Sequence, residues 1–280
     1  MSKLGLIAGG GGLPLEILRS CAAAERPVYV VRLRGFAETA LAAYDGFDAG
    51  IAELGKIFKA LKSAHCEAVC FAGLVNRPDF AALRPDMKGL AAMPGAVAAA
   101  TKGDDALLRY MVRQFEKEGF LVEGADQIVR GLTIDEGPIG RHAPKPDDIL
   151  DIETAMRAAR TLGELDIGQG AVSVRGLILA LEAQEGTDAM LRRCADLPPA
   201  LRGTSKHPIG VLAKAPKPIQ DRRIDLPTIG PATVKAASAA GLAGIVGEAG
   251  GLLIVDKVAI LAAADELGLF IVGLPQARTP

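Results

Sequence analysis

Along the first half of the chain, short apolar runs alternate with longer amphipathic stretches. Leu4 to Ala8 is an apolar run that stops at four consecutive glycines, Gly9 to Gly12. Pro14 stands where a helix would begin, a position that tolerates a missing N–H. The pattern predicts a helix to about Glu25, stopped by Pro27. Val28 to Leu33 reads as a strand, Lys56 to Ser63 as a helix, and Ala68 to Ala72 as a strand closing on Gly73. Asp104 to Glu118 is a strong helix with Asp104 and Asp105 at its positive end. Gly119 ends it, and Phe120 to Glu123 returns as a strand. Strands alternating with helices predict a parallel sheet covered on both faces.

The texture changes between Ile134 and Asp148, where Gly137, Pro138, Gly140, Pro144 and Pro146 crowd together as in a linker. The expected organisation is therefore an N-terminal domain over 1–133, a linker over 134–148 and a C-terminal α/β domain over 149–280. The second half opens with a helix from about Asp148 to Leu165. A hairpin-like pair follows, Ala171 to Val174 and Leu177 to Leu181, around Arg175-Gly176. Thr187 or Asp188 can cap a helix to about Cys194. Gly210 to Lys214 reads as a strand, Pro231 to Ala240 as a helix and Leu252 to Val255 as a strand. Asp256 to Leu267 reads as a helix and Leu269 to Val272 as a strand. The uncharged stretch Gly89 to Thr101 is too short to cross a bilayer and contains Pro94 and Gly95. It reads as a buried loop ahead of an exposed greasy surface.

Composition narrows the picture. Half of the 280 residues are apolar, enough for a sizeable core, but with no Trp and 4% aromatics small aliphatic residues must fill it. A net charge of −1 gives no footing for a nucleic-acid partner. The start of the chain runs directly into a strand, so no signal peptide is expected. Cys21, Cys66, Cys70 and Cys194 sit in apolar surroundings without zinc or redox spacing, as reduced core residues in a cytoplasmic protein do. His65, His142 and His207 are dispersed and predict no metal site.

Two regions carry candidate chemistry. The glycine cluster follows a strand and opens a helix, which suits contact of Gly10, Gly11 and Gly12 with a phosphate or sugar ahead of a bare tight turn, since four consecutive glycines are more than a turn requires. It is not the dinucleotide fingerprint. The second strand also ends in Arg32 and Arg34 where a ribose-binding carboxylate would stand. Gly73 with Asn76, and Gly103 with Asp104 and Asp105, follow other strands and turns, so all three segments can line one crevice. The second region is the proline-stiffened stretch from Lys214 to Gly230. Asp221 and Asp225 there can hold Mg²⁺ or a water, and Lys214 and Lys217 can offset phosphate charge. Gln220 lies in the same stretch. A polar cluster of Glu182, Glu185, Thr187, Asp188, Arg192 and Arg193 lies nearby in sequence, preceded by Asp166 and Gln169. The inventory fits cleavage of a phosphoanhydride, which needs positioning and charge cancellation rather than a covalent nucleophile. A solvated loop with scattered salt bridges has the same composition. Two rival functions are a transferase or epimerase acting on a UDP-sugar and a non-catalytic lipid-binding protein.

Certain segments together resemble a known family. They are Gly5-Leu-Ile-Ala-Gly-Gly-Gly-Gly-Leu-Pro14, Ala72-Gly-Leu-Val-Asn-Arg-Pro78 and Gly103-Asp-Asp-Ala-Leu-Leu-Arg109, then Asp166-Ile-Gly-Gln169, Glu182 to Leu191 and Lys217 to Gly230. The chain is similar over essentially its whole length to the LpxI family, UDP-2,3-diacylglucosamine pyrophosphatases of Gram-negative bacteria. The resemblance implies release of UMP and 2,3-diacylglucosamine 1-phosphate (lipid X) in lipid A synthesis, and a Mg²⁺ requirement. It implies a Rossmann-like N-terminal domain, a distinct C-terminal α/β domain and a ligand cleft between them. Asp225 is the residue it ties most directly to catalysis. Lys214, Lys217 and Asp221 as catalytic groups rest on motif position and chemistry. So do Gly10, Gly11, Gly12, Gly73, Asn76, Gly103, Asp104, Asp105, Gln169, Thr187, Asp188 and Gln220 as substrate contacts. An acylated substrate implies transient contact with the inner face of the cytoplasmic membrane. A homodimer is compatible with the sequence.

Overall fold

The computed structural model describes residues 2–76, 79–218 and 221–276. The chain divides into two compact units, Met1–Arg130 with Asp221–Asp225, and Gly131–Gln220 with Leu226–Pro280.

The first unit contains β1 (Leu4–Ala8), α1 (Leu13–Ala23), β2 (Val28–Leu33), β3 (Gly46–Ala49) and α2 (Leu54–Ser63). It continues with β4 (Ala68–Ala72), α3 (Met87–Ala100), α4 (Asp104–Lys117), β5 (Leu121–Val122) and the single turn α5 (Ala125–Ile128). Its five strands are all parallel, in the order β3-β2-β1-β4-β5, the Rossmann-like arrangement. Ile7, Val31 and Val69 on one sheet face bury against Ile57, Phe58 and Leu61 of α2 and Val112 and Phe115 of α4. Phe115 meets Phe58 and Phe71 edge-on, with ring centroids 4.9 Å apart in each pair. The distant Ile224 packs on this same core, which is why residues 221–225 belong to this unit.

The second unit contains β6 (Gly137–Ile139), α6 (Ile149–Glu164), β7 (Gly170–Val174), β8 (Leu177–Leu181), α7 (Gly186–Ala195) and β9 (Val211–Lys214). Then come β10 (Thr228–Ile229), α8 (Pro231–Ala239), β11 (Gly244–Glu248), β12 (Leu253–Ile254), α9 (Lys257–Leu267) and β13 (Phe270–Leu274). Its main sheet runs β6-β13-β11-β9-β7-β8, with β9, β11 and β13 parallel and the outer strands antiparallel to their neighbours. Alternation along the strands sorts the core into two faces. Val172, Leu212, Ile245 and Ile271 pack against α7, α8 and α9, while Ala171, Ala213, Val246 and Val272 pack against α6. The buried carboxylate of Asp151 on α6 fixes the β7–β8 turn by accepting from Ser173 Oγ at 2.7 Å, Arg175 N at 2.9 Å and Gly176 N at 2.7 Å.

Several expectations need correction. The segment 134–148 is no free linker: Ile134 is buried, and β6 pairs antiparallel with β13 inside the second unit. Pro138 is admissible there because β6 is an edge strand, where a missing N–H costs no ladder bond. Residues 89–101 are mostly helix, not a buried loop. Asp86 caps α3, accepting from Gly89 N at 2.8 Å, and Pro94 lies within it. The residue before α7 is Glu185, with no side-chain cap, so neither Thr187 nor Asp188 serves as one. Residues Asp221–Asp225, late in the sequence, pack with the first unit. All four cysteines are free and buried. Among the described residues no helix is long and apolar enough to cross a membrane.

Candidate active site

In the first unit the strand order reverses direction at β1 and β4, where ligands of open α/β sheets bind. The loops leaving these strands are tied together. Gly9 N donates to Ala72 O at 2.8 Å, Gly10 N to Leu74 O at 2.9 Å and Leu74 N to Gly10 O at 2.9 Å. A Cβ on Gly9 would lie 2.6 Å from Leu74 O, and one on Gly73 would lie 2.5 Å from Gly10 O. The glycines therefore serve a close backbone crossing. Gly11 N donates to Glu38 Oε1 at 3.0 Å, so an anion at that N–H must displace a carboxylate. Gly12 is the N-cap of α1, with no side chain to cap it.

Asn76 and Asp104 come together on the lining of an apolar cavity of about 250 Å³. Its walls include Ile7 and Phe71 of the sheet, Gly89, Ala92, Met93 and Ala96 of α3, and Leu107, Leu108 and Met111 of α4. Gly103 is the N-cap of α4, and the buried Asp105 ion-pairs with Arg109 one turn later at 2.9 Å.

Residues 221–225 form a turn in which Ile224 N and Asp225 N both donate to Asp221 O, at 3.0 and 3.2 Å. The Asp221 carboxylate accepts from Arg223 N, Nε and Nη2 at 3.1, 2.9 and 2.6 Å. The Arg223 guanidinium holds that carboxyl below the usual range against the opposing effect of burial, and Arg109 adds to the pull. Arg223 also reaches Glu116 of α4 at 3.0 Å, and its own pKa is raised, chiefly by Asp221. Asp221 is thus engaged as an ion-pair partner.

Asp225 offers the hard oxygen donors that Mg²⁺ takes, whereas both oxygens of Asp221 are already held by Arg223. Among the described residues no group of three or more His, Cys, Asp or Glu is placed to hold a metal. The donors still fit this ion, because Mg²⁺ commonly uses one or two carboxylates and completes its shell with substrate phosphates and water.

The second unit gathers a different set. Lys214, buried at the end of β9, donates to Thr187 Oγ1 at 2.7 Å and to Thr228 O at 3.3 Å. Thr187 Oγ1 in turn donates to Glu182 Oε1 at 3.0 Å. Glu182 is buried, and its Oε2, like Gln169 Oε1, has no hydrogen-bond partner among the described residues. Lys217 pairs with Asp166 at 2.6 Å, and Asp188 is exposed in the first turn of α7. Gln220 lies outside the described residues. Glu182 belongs to the polar cluster read from the sequence but is not among the candidate contacts there. A carboxylate directly after the apolar strand Leu177–Leu181 was the available signal. Arg223 and Glu116 gave none, since only the fold pairs them.

The LpxI N-terminal domain family matches residues 3–132, and the LpxI C-terminal domain family matches residues 135–272. The chain belongs to the LpxI family. A curated relative from Caulobacter vibrioides, UDP-2,3-diacylglucosamine pyrophosphatase LpxI, is 59% identical over 279 residues, covering 99% of this chain and 100% of the relative. Among solved structures, CobK precorrin-6A reductase aligns over 100% of this chain and 90% of its own, at 12% identity and a TM-score of 0.34, too distant to carry an argument. LpxI membership accounts for the pairing of a Rossmann-like sheet with a second, mixed sheet.

Proposed function

We propose that this LpxI-family protein hydrolyses the pyrophosphate bond of UDP-2,3-diacylglucosamine, adding one water and releasing UMP and 2,3-diacylglucosamine 1-phosphate. The observation that carries this reading is the apolar cavity of the first unit. At about 250 Å³ it exceeds the roughly 150 Å³ that accommodates benzene in an engineered protein cavity, so it can take a length of acyl chain. Each methylene buried there contributes about 0.8 kcal/mol, partly offset by ordering the chain. Asn76 and Asp104 supply polar groups on the same lining.

Asp225 is the group assigned to the chemistry, orienting a water or holding Mg²⁺, with Asp221 fixing the turn through Arg223. Mg²⁺, when bound, would offset negative charge developing on the diphosphate. In the second unit, Lys214 and Thr187 are the assigned phosphate contacts, and Glu182 orients Thr187. Lys217 is held beside Asp166 by its ion pair.

The test is UMP release from UDP-2,3-diacylglucosamine and from UDP-N-acetylglucosamine at matched detergent. The expected result is hydrolysis of the diacyl substrate with a much higher kcat/KM. Equal values would remove the acyl pocket, and a requirement for a second sugar acceptor would make the protein a transferase.

A further inference from the structure

Helix α3 carries apolar residues on both its inner and outer faces, with Lys88 its one charged residue, although a helix of that kind is ordinarily buried. Its inner residues Gly89, Ala92, Met93 and Ala96 line the cavity. Its outer residues Met87, Leu90, Ala91, Pro94, Val97 and Ala98 are all exposed. The spacing of these outer residues puts them on one helical face. Met87 is 84% exposed and Leu90 58%, so the face is open rather than grazed by neighbouring loops. Fourteen residues are too few to span a bilayer but suit an interfacial helix.

The helix is anchored by polar contacts at its N-terminus and at its middle. Asp86 accepts from Gly89 N and also from Lys56 N of α2, both at 2.8 Å. Midway along it, Tyr110 Oη of α4 donates to Ala92 O at 2.9 Å. Within residues 84–104 the exposed cations are Arg84, Lys88 and Lys102, against the exposed Asp104 and the partly exposed Asp86. Lys88 shares Glu118 with Lys62.

We propose that the outer face of α3 docks on an anionic lipid bilayer, so that the wall of the acyl cavity is itself the membrane-contacting element. The proposal rests on the acyl-chain reading of that cavity. What favours lipid over another protein is continuity: one helix shows apolar residues to the cavity on one side and to solvent on the other. A chain drawn from a bilayer against α3 then needs to cross little water. The excess of positive charge beside the helix fits the anionic headgroups.

The experiment is cosedimentation of the full chain, without substrate, on vesicles of phosphatidylethanolamine with a minority of phosphatidylglycerol. The wild-type chain and the control Leu177→Glu, at an exposed apolar residue of the second unit, are expected to bind. Met87→Glu with Leu90→Glu is expected to lower the partition coefficient on the order of a hundredfold, about tenfold for each large apolar side chain withdrawn. Val97→Glu alone is expected to lower it about tenfold. Thermal melting confirms that these surface variants fold, and light scattering reads their oligomeric state. Wild-type vesicle binding by the α3 variants, or absent binding by the parent, overturns the proposal. A parent dimer split by these substitutions also overturns it, because the face is then a contact between copies. UMP release from detergent-dispersed substrate tests the hydrolase reading separately and is expected to be unchanged in these variants.

Discussion

The ammonium of Lys214 lies 2.7 Å from the hydroxyl oxygen of Thr187, and Lys214 is only 4% exposed. A buried ammonium needs its acceptors, and Thr187 passes the interaction on to Glu182. Lys214→Met keeps much of the stem while deleting the donor, and is expected to destabilise the second unit by about 1–3 kcal/mol. Thr187→Val breaks both hydrogen bonds at once. The two changes are expected to be non-additive by about 0.5 kcal/mol or more, because they remove parts of one network. Denaturant melts of the two single variants and the double variant check this, and strict additivity would dissolve the network.

Asp225→Asn is expected to reduce the turnover of UMP release by roughly a hundredfold or more, the scale of one positioned acid–base or electrostatic group. Calorimetry of Mg²⁺ binding in the presence of UMP provides a readout independent of turnover. Weaker Mg²⁺ binding in the variant supports a ligand role. Unchanged binding with lost turnover leaves Asp225 to the water.

Glu53 carries a pH signature. Its pKa is lowered to about 2 from 4.5, chiefly by the Lys56 ammonium, then by Gly50 N and the Arg34 guanidinium, against the opposing effect of burial. A depressed folded-state pKa means that the contribution is complete above pH 4.5 and is lost as pH falls towards 2. The melting temperatures of the wild-type chain and Glu53→Gln are expected to differ at neutral pH and to converge over that interval. A difference that persists undiminished at the acid end would assign the effect to packing.

Gly73→Ala is expected to lose about 1–3 kcal/mol, because it combines a positive φ with a Cβ pressed on the Gly10 carbonyl oxygen. Gly11→Ala has the same sign of φ but meets nothing within 4 Å, so its cost is about 1 kcal/mol. Equal melting temperatures for the two variants would show that the backbone crossing yields without cost.

Filling the apolar cavity of the first unit tests whether it holds the acyl chains. Ala92→Phe adds volume inside the cavity, with an overpacking cost of about 1–3 kcal/mol if neighbours do not shift. KM for the diacyl substrate is expected to rise, while a short-chain analogue keeps its kcat. Loss of kcat on both would move the acyl chains elsewhere.

Much of the fold is legible in the sequence wherever an apolar run carries its own punctuation. Leu4–Ala8 before four glycines and Ala68–Ala72 before Gly73 are such runs, and both are central strands. Strand β11, Gly-Ile-Val-Gly-Glu, is central too, yet two glycines and a glutamate hide it. Its status comes from its partners β9 and β13 rather than from propensity. Helix α3 is hidden differently, since a segment apolar all round has no 3.6-residue period to read and Pro94 argues for a break. At the candidate site, residue types were legible but partnerships were not. Asp221 was a carboxylate of the right kind, and only the fold shows it clasped by Arg223. The four glycines read as a phosphate loop, whereas three of their N–H groups are already spoken for.

The five residues 221–225 complete a body whose other residues all precede position 131. During synthesis the nascent first unit must therefore wait, with the place of Ile224 against its core unfilled, until most of the second unit has left the ribosome. The chain also passes between the two bodies three times, so no single cut yields both as finished pieces. A fragment ending at Arg130 would lack the Asp221–Arg223 clasp on α4 as well as Asp225. For this protein, completion of the Rossmann-like half is an event of late translation, tied to the segment that links β9 to β10.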